Sequence, residues 1–253
     1  MSLCNDLADR RAVVVGASSG VGLAVALALA DAGMHVDAAA RRREAIDEAL
    51  QGKVASHQVD VTDRSAVEHF RDEVCAQGPV HALILAAGGN VPQRRFDTLK
   101  VTDWDLLLST NLTGAFDVIR AFLGPLRETR GVAIVVGSVS GVWPDSSGAA
   151  YQATKAGLLA MARAVALEEH SHGVRVTTLL PGMIDTPLID RRPVIPPSSV
   201  RRQMLAPSDI ATACLFILSL PSRAYVPELT ILPTALQALG ATDVTTAVEA
   251  RAD

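Results

Sequence analysis

The chain has 253 residues, of which 49% are hydrophobic, and carries a formal net charge of −4. This length suffices for one large hydrophobic core, and a mildly acidic chain does not favour a nucleic acid or a membrane surface as partner. Its longest apolar helical stretch, Val21–Ala30, is shorter than the roughly 20 residues needed to cross a bilayer. The three cysteines lack metal-site or disulfide spacing. We therefore expect a cytoplasmic protein without a membrane span, a metal ion or a nucleic-acid partner.

Short apolar runs alternate with longer helical patterns along the chain, which is typical of repeated βα units and a parallel sheet. The predicted strands are Ala12–Val15, His35–Ala39, Val54–Val59, Ala82–Ala86, Val132–Val136, Val174–Leu179 and Leu229–Leu232. The predicted helices are Gly20–Ala32, Arg43–Leu50, Arg64–Gln77, Asp103–Leu123, Gly148–His170 and Pro207–Leu218. Because the strands are apolar on both faces, the pattern predicts an α/β protein. We expect one Rossmann-type domain over residues 1–253, with a doubly wound parallel sheet of about seven strands and helices on both faces.

Two segments depart from this alternation. Residues 183–206 are rich in proline and contain arginine pairs at 191–192 and 201–202. Long irregular segments that follow the carboxyl end of a strand often cover a ligand site, so we predict a substrate lid here. The arginines are interpreted either as attracting an anionic group, such as a carboxylate or a carrier-linked thioester, or as part of a solvated loop. Residues 234–253 are predicted to form a C-terminal tail.

The first predicted strand leads into a glycine-rich turn, Gly16–Gly22, and then into a helix. Glycines at such a turn let the backbone approach a pyrophosphate, whose charge the amino end of the helix stabilises. At the end of the second strand stand three arginines, Arg41 to Arg43, and arginine there suits the 2′-phosphate of NADP. Asp37, within that strand, is the rival signal for NAD. We expect NADP(H) as cofactor, with NAD(H) as the alternative.

Tyr151 and Lys155 stand four residues apart, which is one helical turn, so both side chains lie on the same face of a helix. Free tyrosine has a pKa of ~10, too high for proton exchange near neutral pH. An ammonium ~4 Å away lowers that pKa by up to about three units at an effective dielectric of ~20. We therefore predict that Lys155 makes Tyr151 a useful acid and base. The alternative is an uncoupled pair on the surface.

These features together resemble the short-chain dehydrogenase/reductase family, over roughly residues 6–233. The elements that carry the resemblance are Gly16–Gly22, Asp60–Asp63, Asn111–Gly114, Gly137–Ser140, the Tyr151/Lys155 pair, Pro181-Gly182 and Thr186-Pro187. Ser138 precedes Tyr151 by 13 residues, as is usual in the family.

The resemblance implies a catalytic tetrad of Asn111, Ser138, Tyr151 and Lys155. In this scheme Tyr151 exchanges a proton with the carbonyl oxygen, and Ser138 hydrogen-bonds that oxygen. Lys155 lowers the pKa of Tyr151 and binds the nicotinamide ribose, and Asn111 holds a water that links Lys155 to solvent.

The resemblance also implies a set of cofactor contacts. Besides Tyr151 and Lys155, they are Gly16, Ser18, Ser19, Gly20, Val21, Arg41, Asp60, Val61, Ala86, Gly88, Pro181, Gly182, Ile184 and Thr186. Asp60 would accept a hydrogen bond from the adenine amino group; the alternative is a helix cap, a role that Thr62 could also fill.

The expected activity is hydride transfer between NADP(H) and a carbonyl or secondary alcohol, with a ketone or 3-oxoacyl compound as the small-molecule substrate. An NAD-dependent alcohol or sugar dehydrogenase and a non-catalytic dinucleotide-binding regulator are the alternatives. A homodimer or homotetramer is expected.

Overall fold

The computed structural model describes residues 7–240, in which seven strands form one sheet. The strands are β1 Arg11–Val15, β2 His35–Ala40, β3 Ala55–Gln58, β4 Val80–Leu85, β5 Val132–Val136, β6 Arg175–Pro181 and β7 Glu228–Ile231. Every neighbouring pair is parallel, in the order β3-β2-β1-β4-β5-β6-β7. The predicted Rossmann-type α/β sheet is therefore confirmed. Of the predicted tail, only residues 234–240 lie within the described part of the chain.

Helices cover both faces of the sheet. They are α1 Gly20–Asp31, α2 Arg43–Leu50, α3 Arg64–Ala76, α4 Val101–Leu108, α5 Gly114–Thr129, α6 Ala149–Glu169, α7 Ser198–Arg201 and α8 Pro207–Ser219. Successive residues of β1 point to opposite faces, so Val14 packs in one buried cluster with α1 and α8. Val13 packs in the other, with Phe70 of α3 and Phe122 of α5. This alternation explains why the strands are apolar throughout.

The helix predicted over Asp103–Leu123 differs most from the structure. It begins at Val101 after Lys100, without a side-chain cap, and a π-helical turn, Ser109–Thr113, separates α4 from α5. α5 continues through Pro125 and ends where Arg130 adopts a left-handed conformation, with φ of 52°. Proline lacks only one backbone donor, and the tertiary packing of α5 retains the helix around it.

The continuous helical stretch Val101–Thr129 is long and apolar enough, by length and composition, to cross a bilayer. The expectation that Val21–Ala30 is the longest apolar helix is therefore wrong. Phe122 is fully buried in the core, and Asp117 forms an ion pair of 2.7 Å with Arg64 of α3. Core helices of soluble proteins share this length and composition, and the packing of this stretch is that of a core helix.

β1 and β4 lie side by side at the centre of the sheet although the chain leaves them in opposite directions. A crevice forms outside the carboxyl ends of the strands at such a switch point, and it is the usual ligand site of open α/β sheets. The turn that begins at Gly16 follows β1, and Ala86 follows β4. The fold thus brings together two segments that are distant in sequence.

Candidate active site

A cavity of about 1120 Å³ opens at the carboxyl edge of the sheet. Asn111 is the one predicted site residue that does not line it. The predicted residues that line it are Gly16, Ser18, Ser19, Gly20, Val21, Arg41, Asp60, Val61, Ala86, Gly88, Ser138, Tyr151, Lys155, Pro181, Gly182, Ile184 and Thr186. Residues from seven different loops and helices therefore meet around one volume.

The turn after β1 is too tightly packed for a side chain at either of two glycine positions. Gly16 has φ of 94°, and a Cβ atom there would lie 2.5 Å from the backbone nitrogen of Ala87. A Cβ atom on Gly22 would lie 2.2 Å from the carbonyl oxygen of Gly16. Ser19 precedes α1 without forming a side-chain cap, which leaves the first-turn N–H groups of this helix without a side-chain partner. The turn therefore has the closeness and the donors that a pyrophosphate requires.

The arginines after β2 have different environments. Arg41 is exposed at the cavity wall and makes no hydrogen bond or ion pair with residues 7–240. Arg42 also lines the cavity and donates to Ser18 Oγ at 3.4 Å. Arg43 lies outside the lining and donates to Ser56 Oγ at 3.1 Å. Two of the three guanidinium groups are thus placed for an anion, and of these two only Arg41 is among the predicted cofactor contacts.

The interpretation of Asp37 as a reader of the NAD ribose is wrong. Its side chain is only 1% exposed and lies outside the cavity lining. The carboxylate accepts from Arg11 at 2.5 Å and from His57 Nε2 at 3.0 Å. Asp37 therefore links three neighbouring strands, because Arg11 begins β1 and His57 belongs to β3.

Asp60 is not a helix cap, and neither is Thr62. Asp63 caps α3, because its carboxylate accepts from the backbone nitrogens of Ser65 and Ala66. One carboxylate oxygen of Asp60 accepts from the backbone nitrogen and hydroxyl of Thr62, at 3.0 and 2.8 Å. Its other oxygen has no hydrogen bond to residues 7–240, and Asp60 lines the cavity.

Ser138 and Tyr151 meet at the wall of the cavity. Ser138 follows β5 and begins the 3₁₀ turn Val139–Gly141, where its hydroxyl accepts from the backbone nitrogen of Ser140. Its hydroxyl also donates to Ser140 Oγ at 3.1 Å, and it lies close enough to the phenol of Tyr151, in the first turn of α6, to lower the pKa of that phenol. Burial raises the pKa of Tyr151, Ser138 lowers it, Asp145 raises it, and Arg94 and Arg192 lower it.

Lys155 is buried one turn further along α6, with its Nζ atom 5.8 Å from the centre of the Tyr151 ring. The ammonium donates to the carbonyl oxygen of Val136 at 2.9 Å. Burial lowers the pKa of Lys155 to about 8. The predicted lowering of the Tyr151 pKa by Lys155 stays a prediction. Two further positive charges, those of Arg94 and Arg192, lower the pKa of Tyr151.

Asn111 lies beneath the cavity in the π-helical turn and is fully buried. Its Oδ1 atom accepts from the backbone nitrogen of Gly89 at 2.8 Å, and its Nδ2 atom donates to the carbonyl oxygen of Gly89 and to Thr154 Oγ1. A Cβ atom on Gly88 would lie 3.3 Å from Asn111 Oδ1 and 3.5 Å from Lys155 Nζ. Asn111 therefore holds the chain after β4 against α6.

Three of the cavity residues that were not predicted from the sequence are polar and come from loops. Arg94 is 8% exposed, and Asp145 accepts from the backbone nitrogen of Ser147 at 2.8 Å. Gln237 lies in the predicted tail, and its Oε1 atom accepts from the backbone nitrogen of Met183 at 2.7 Å. None of the three belongs to a spacing motif, because loop conformation alone brings them to the site. Only the turn-forming Asp-Ser-Ser-Gly at residues 145–148 offered a local signal.

No group of three or more histidine, cysteine or acidic side chains within residues 7–240 is arranged to hold a metal ion. A glycine turn before a helix at the switch point of a doubly wound sheet defines the class of dinucleotide-binding α/β proteins.

The chain belongs to the short chain dehydrogenase family, whose family model matches residues 10–193. An uncharacterized oxidoreductase of Staphylococcus epidermidis is 32% identical over 232 residues, which cover 89% of this chain and 97% of that protein. An alcohol dehydrogenase of the archaeon Thermococcus sibiricus, solved with 5-hydroxy-NADP, is 30% identical with a TM-score of 0.79, and the match covers 88% of this chain and 95% of that one. A metagenomic short-chain oxidoreductase solved with NADP is 28% identical with a TM-score of 0.78, covering 91% and 99%. The protein is thus an oxidoreductase that acts on CH–OH or C=O groups with a nicotinamide cofactor.

Proposed function

We propose that this protein reduces a ketone or 3-oxoacyl type carbonyl to a secondary alcohol with NADPH, and that Tyr151 is the general acid. The observation that carries the proposal is that Ser138, Tyr151 and Lys155 line the same cavity as the glycine turn, with Ser138 close enough to lower the pKa of the phenol. A phenol whose pKa is raised keeps its proton at neutral pH, as an acid for carbonyl reduction must.

Each residue of the tetrad has a role in this scheme. Tyr151 gives its proton to the carbonyl oxygen, and Ser138 donates a hydrogen bond that positions this oxygen and stabilises its developing charge. Lys155, held by Val136, contributes a buried positive charge beside the phenol. Asn111 positions Gly89 and α6. When bound, the nicotinamide supplies the hydride.

The cofactor preference rests on charge. Arg41 and Arg42 lie at the cavity wall after β2, and an arginine there accommodates a 2′-phosphate. Both solved relatives described above contain an NADP-type cofactor, which supports the same preference. The remaining predicted contacts, from Ser18 to Thr186, are proposed to hold the pyrophosphate, adenine and nicotinamide in this cavity.

Assembly and location belong to the same proposal. Val101, Phe116 and Leu167 are 75%, 45% and 80% exposed on helices α4, α5 and α6, and a second copy would cover such side chains in a homodimer or homotetramer. Sedimentation equilibrium measures this directly. We propose a cytoplasmic location, and a lid role for segment 183–206, several residues of which line the cavity.

Calorimetric titration of the cofactor-free protein with NADPH and with NADH tests the proposal without knowledge of the substrate. Tighter binding of NADPH supports it and leads to a screen of carbonyl compounds with wild type and Tyr151→Phe. Wild-type turnover that is lost in the phenylalanine variant, with NADPH binding retained, identifies Tyr151 as the acid. Equal turnover by both would contradict the mechanism. Failure of folded protein to bind either cofactor would favour a regulator or scaffold.

A further inference from the structure

Arg192 is partly buried at the cavity wall, and its guanidinium has no hydrogen bond or ion pair within residues 7–240. Arg201 and Arg202 of the same segment differ from it. Arg201 is paired with Asp185 and Asp190 at 2.6 and 2.7 Å, and Arg202 is exposed and outside the cavity lining. A guanidinium that is removed from water without a partner is costly unless an anion joins it.

Arg94 adds a second positive charge on the same side of the cavity. It is more than nine-tenths buried, and two of its nitrogens donate to the carbonyl oxygens of Val91 and Arg191, at 2.9 and 3.2 Å. The neighbouring charge of Arg192 lowers the pKa of Arg94, after the larger effect of burial. Two guanidinium groups that repel each other at a cavity wall form a site for an anion.

The protein's own acidic groups do not neutralise this site. Asp145 lies close enough to act on both arginines, but it forms no ion pair with either. Its carboxylate accepts instead from Ser140 Oγ at 2.5 Å and from the backbone nitrogen and hydroxyl of Ser147. The charged groups that shift the pKa of Tyr151 are one carboxylate, that of Asp145, and the two guanidinium groups of Arg94 and Arg192. Basic groups therefore outnumber acidic ones among the charges that act on the phenol.

We propose that Arg192, with Arg94 beside it, binds a carboxylate of the substrate, so that the substrate is an oxo acid whose carboxylate lies a few carbons from the reacting carbonyl. This inference rests on the proposed function and specifies the substrate class of the same site. Guanidinium binds carboxylate through two parallel hydrogen bonds, which fixes both position and orientation. The charges of both arginines lower the pKa of Tyr151, so both lie near its phenol. The bound carboxylate would therefore lie near the carbonyl that receives the proton of this tyrosine.

The reaction leaves the carboxylate unchanged. A hydride from the reduced nicotinamide adds to the carbonyl carbon, the carbon–oxygen π bond breaks, and the oxygen takes the proton of Tyr151. The product is a hydroxy acid, and the cofactor leaves in its oxidised form.

The test compares 2-oxo, 3-oxo and 4-oxo acids with their methyl esters at neutral pH, in wild type, Arg192→Gln and Arg202→Gln. We expect wild type to prefer one acid over its ester by at least about tenfold in kcat/KM, because the ester lacks the charge that a guanidinium recognises. Arg192→Gln should raise KM for that acid about tenfold or more and should raise KM for the ester by a smaller factor, so that the preference for the acid falls. Arg202→Gln makes the same charge change in the same segment, outside the cavity, and should retain the wild-type preference.

Equal or better use of the esters by wild type would overturn the proposal, as would an unchanged acid preference in Arg192→Gln. Calorimetric titration of the NADP⁺-bound protein with the same acids gives a readout that needs no turnover. Absence of acid binding, or binding that Arg192→Gln does not weaken, would also overturn it. Cofactor binding and reduction of uncharged ketones in those samples would leave the proposed function intact, so the two failures are distinguishable.

Discussion

The hydroxyl of Ser138 lies beside the phenol of Tyr151 and lowers its pKa, whereas burial raises that pKa by more than Ser138 lowers it. Removal of the hydroxyl should therefore raise the pKa of Tyr151. The chain has only two tyrosines, so a Tyr225→Phe background leaves Tyr151 as the sole phenol. Ultraviolet absorbance titration of phenolate in this background reports the pKa directly.

We predict that Ser138→Ala raises the midpoint of this titration and lowers kcat/KM by roughly 100-fold, as expected when a hydrogen-bond donor to a developing oxyanion is lost. Ser140→Ala, in the same 3₁₀ turn, removes a hydroxyl that donates to Asp145 rather than to Tyr151. It should shift the midpoint less. A Ser138→Ala midpoint equal to or below that of the parent would contradict this role of Ser138.

Lys155 should destabilise the folded protein at neutral pH. Its pKa falls from 10.5 to about 8 on burial, so between these values the unfolded chain binds more protons than the folded protein. Stability therefore rises as pH increases from about 8 towards 10.5, and the cost of the buried charge is fully present below about 8. The shift corresponds to at most about 3 kcal/mol.

We predict that Lys155→Met unfolds with a higher free energy than wild type at pH ~7 and that this advantage shrinks as pH rises above ~8. Loss of the hydrogen bond to Val136 offsets roughly 1 kcal/mol of the gain. Denaturant unfolding at a series of pH values measures both quantities. A stability advantage of Lys155→Met that grows with pH would show that the pKa of Lys155 is not lowered in the folded state.

Arg41 should determine the choice between NADPH and NADH. It lines the cavity without a hydrogen bond to residues 7–240, whereas Arg42 already contacts Ser18. We predict that Arg41→Ala weakens NADPH binding about 10- to 100-fold, the worth of a charge-assisted hydrogen bond, and NADH binding less than about threefold. Arg43→Ala, which removes a guanidinium bonded to Ser56, is the matched control and should change neither. Equal losses for both cofactors in Arg41→Ala would show that Arg41 does not read the 2′-phosphate.

His57 should make the free energy of unfolding fall with rising pH, which is opposite in sign to the effect of Lys155. Its hydrogen bond to Asp37 raises the pKa of the imidazole above 6.5, although burial opposes this. A raised pKa stabilises the fold fully below 6.5, and this contribution is lost as pH rises through the pKa of the folded state. We predict that His57→Gln flattens the decline of unfolding free energy with rising pH above 6.5. An unchanged slope would show that the pair with Asp37 is not ionic.

The sheet was predictable because its strands are buried on both faces and therefore apolar throughout, which leaves a clear signal. Strand ends were less predictable, since pairing sets them: β4 begins at Val80, which pairs with Arg11, although His81 interrupts the apolar run. The glycine turn and the Tyr151/Lys155 spacing were visible because their geometry is local. The role of Asp37 could not be predicted, because the sequence around an acidic residue near the end of a strand is the same whether its side chain faces a ligand or an arginine on the next strand.

The electrostatics of the site could not be predicted in the same way. The lysine one turn from Tyr151 is held by a backbone carbonyl, and the charges that lower the pKa of the phenol come from Arg94 and Arg192. These arginines are 98 residues apart in the chain and meet only because Arg94 donates to the carbonyl oxygen beside Arg192. Contacts of this kind follow from loop conformation, for which the sequence carries no periodic pattern.

Segment 183–206 is closed at its base, where Ile184 pairs with Leu205 and the backbone nitrogen of Leu205 donates to the carbonyl oxygen of Met183 at 3.0 Å. The two ends of the segment are therefore hydrogen-bonded to each other before the chain enters α8, and we expect the exposed residues between them to tolerate substitution with little effect on β6 or α8. We therefore expect that the segment can be exchanged as a unit. Grafting the corresponding loop of a relative between residues 184 and 205 is a direct way to change the substrate specificity while the catalytic residues stay the same.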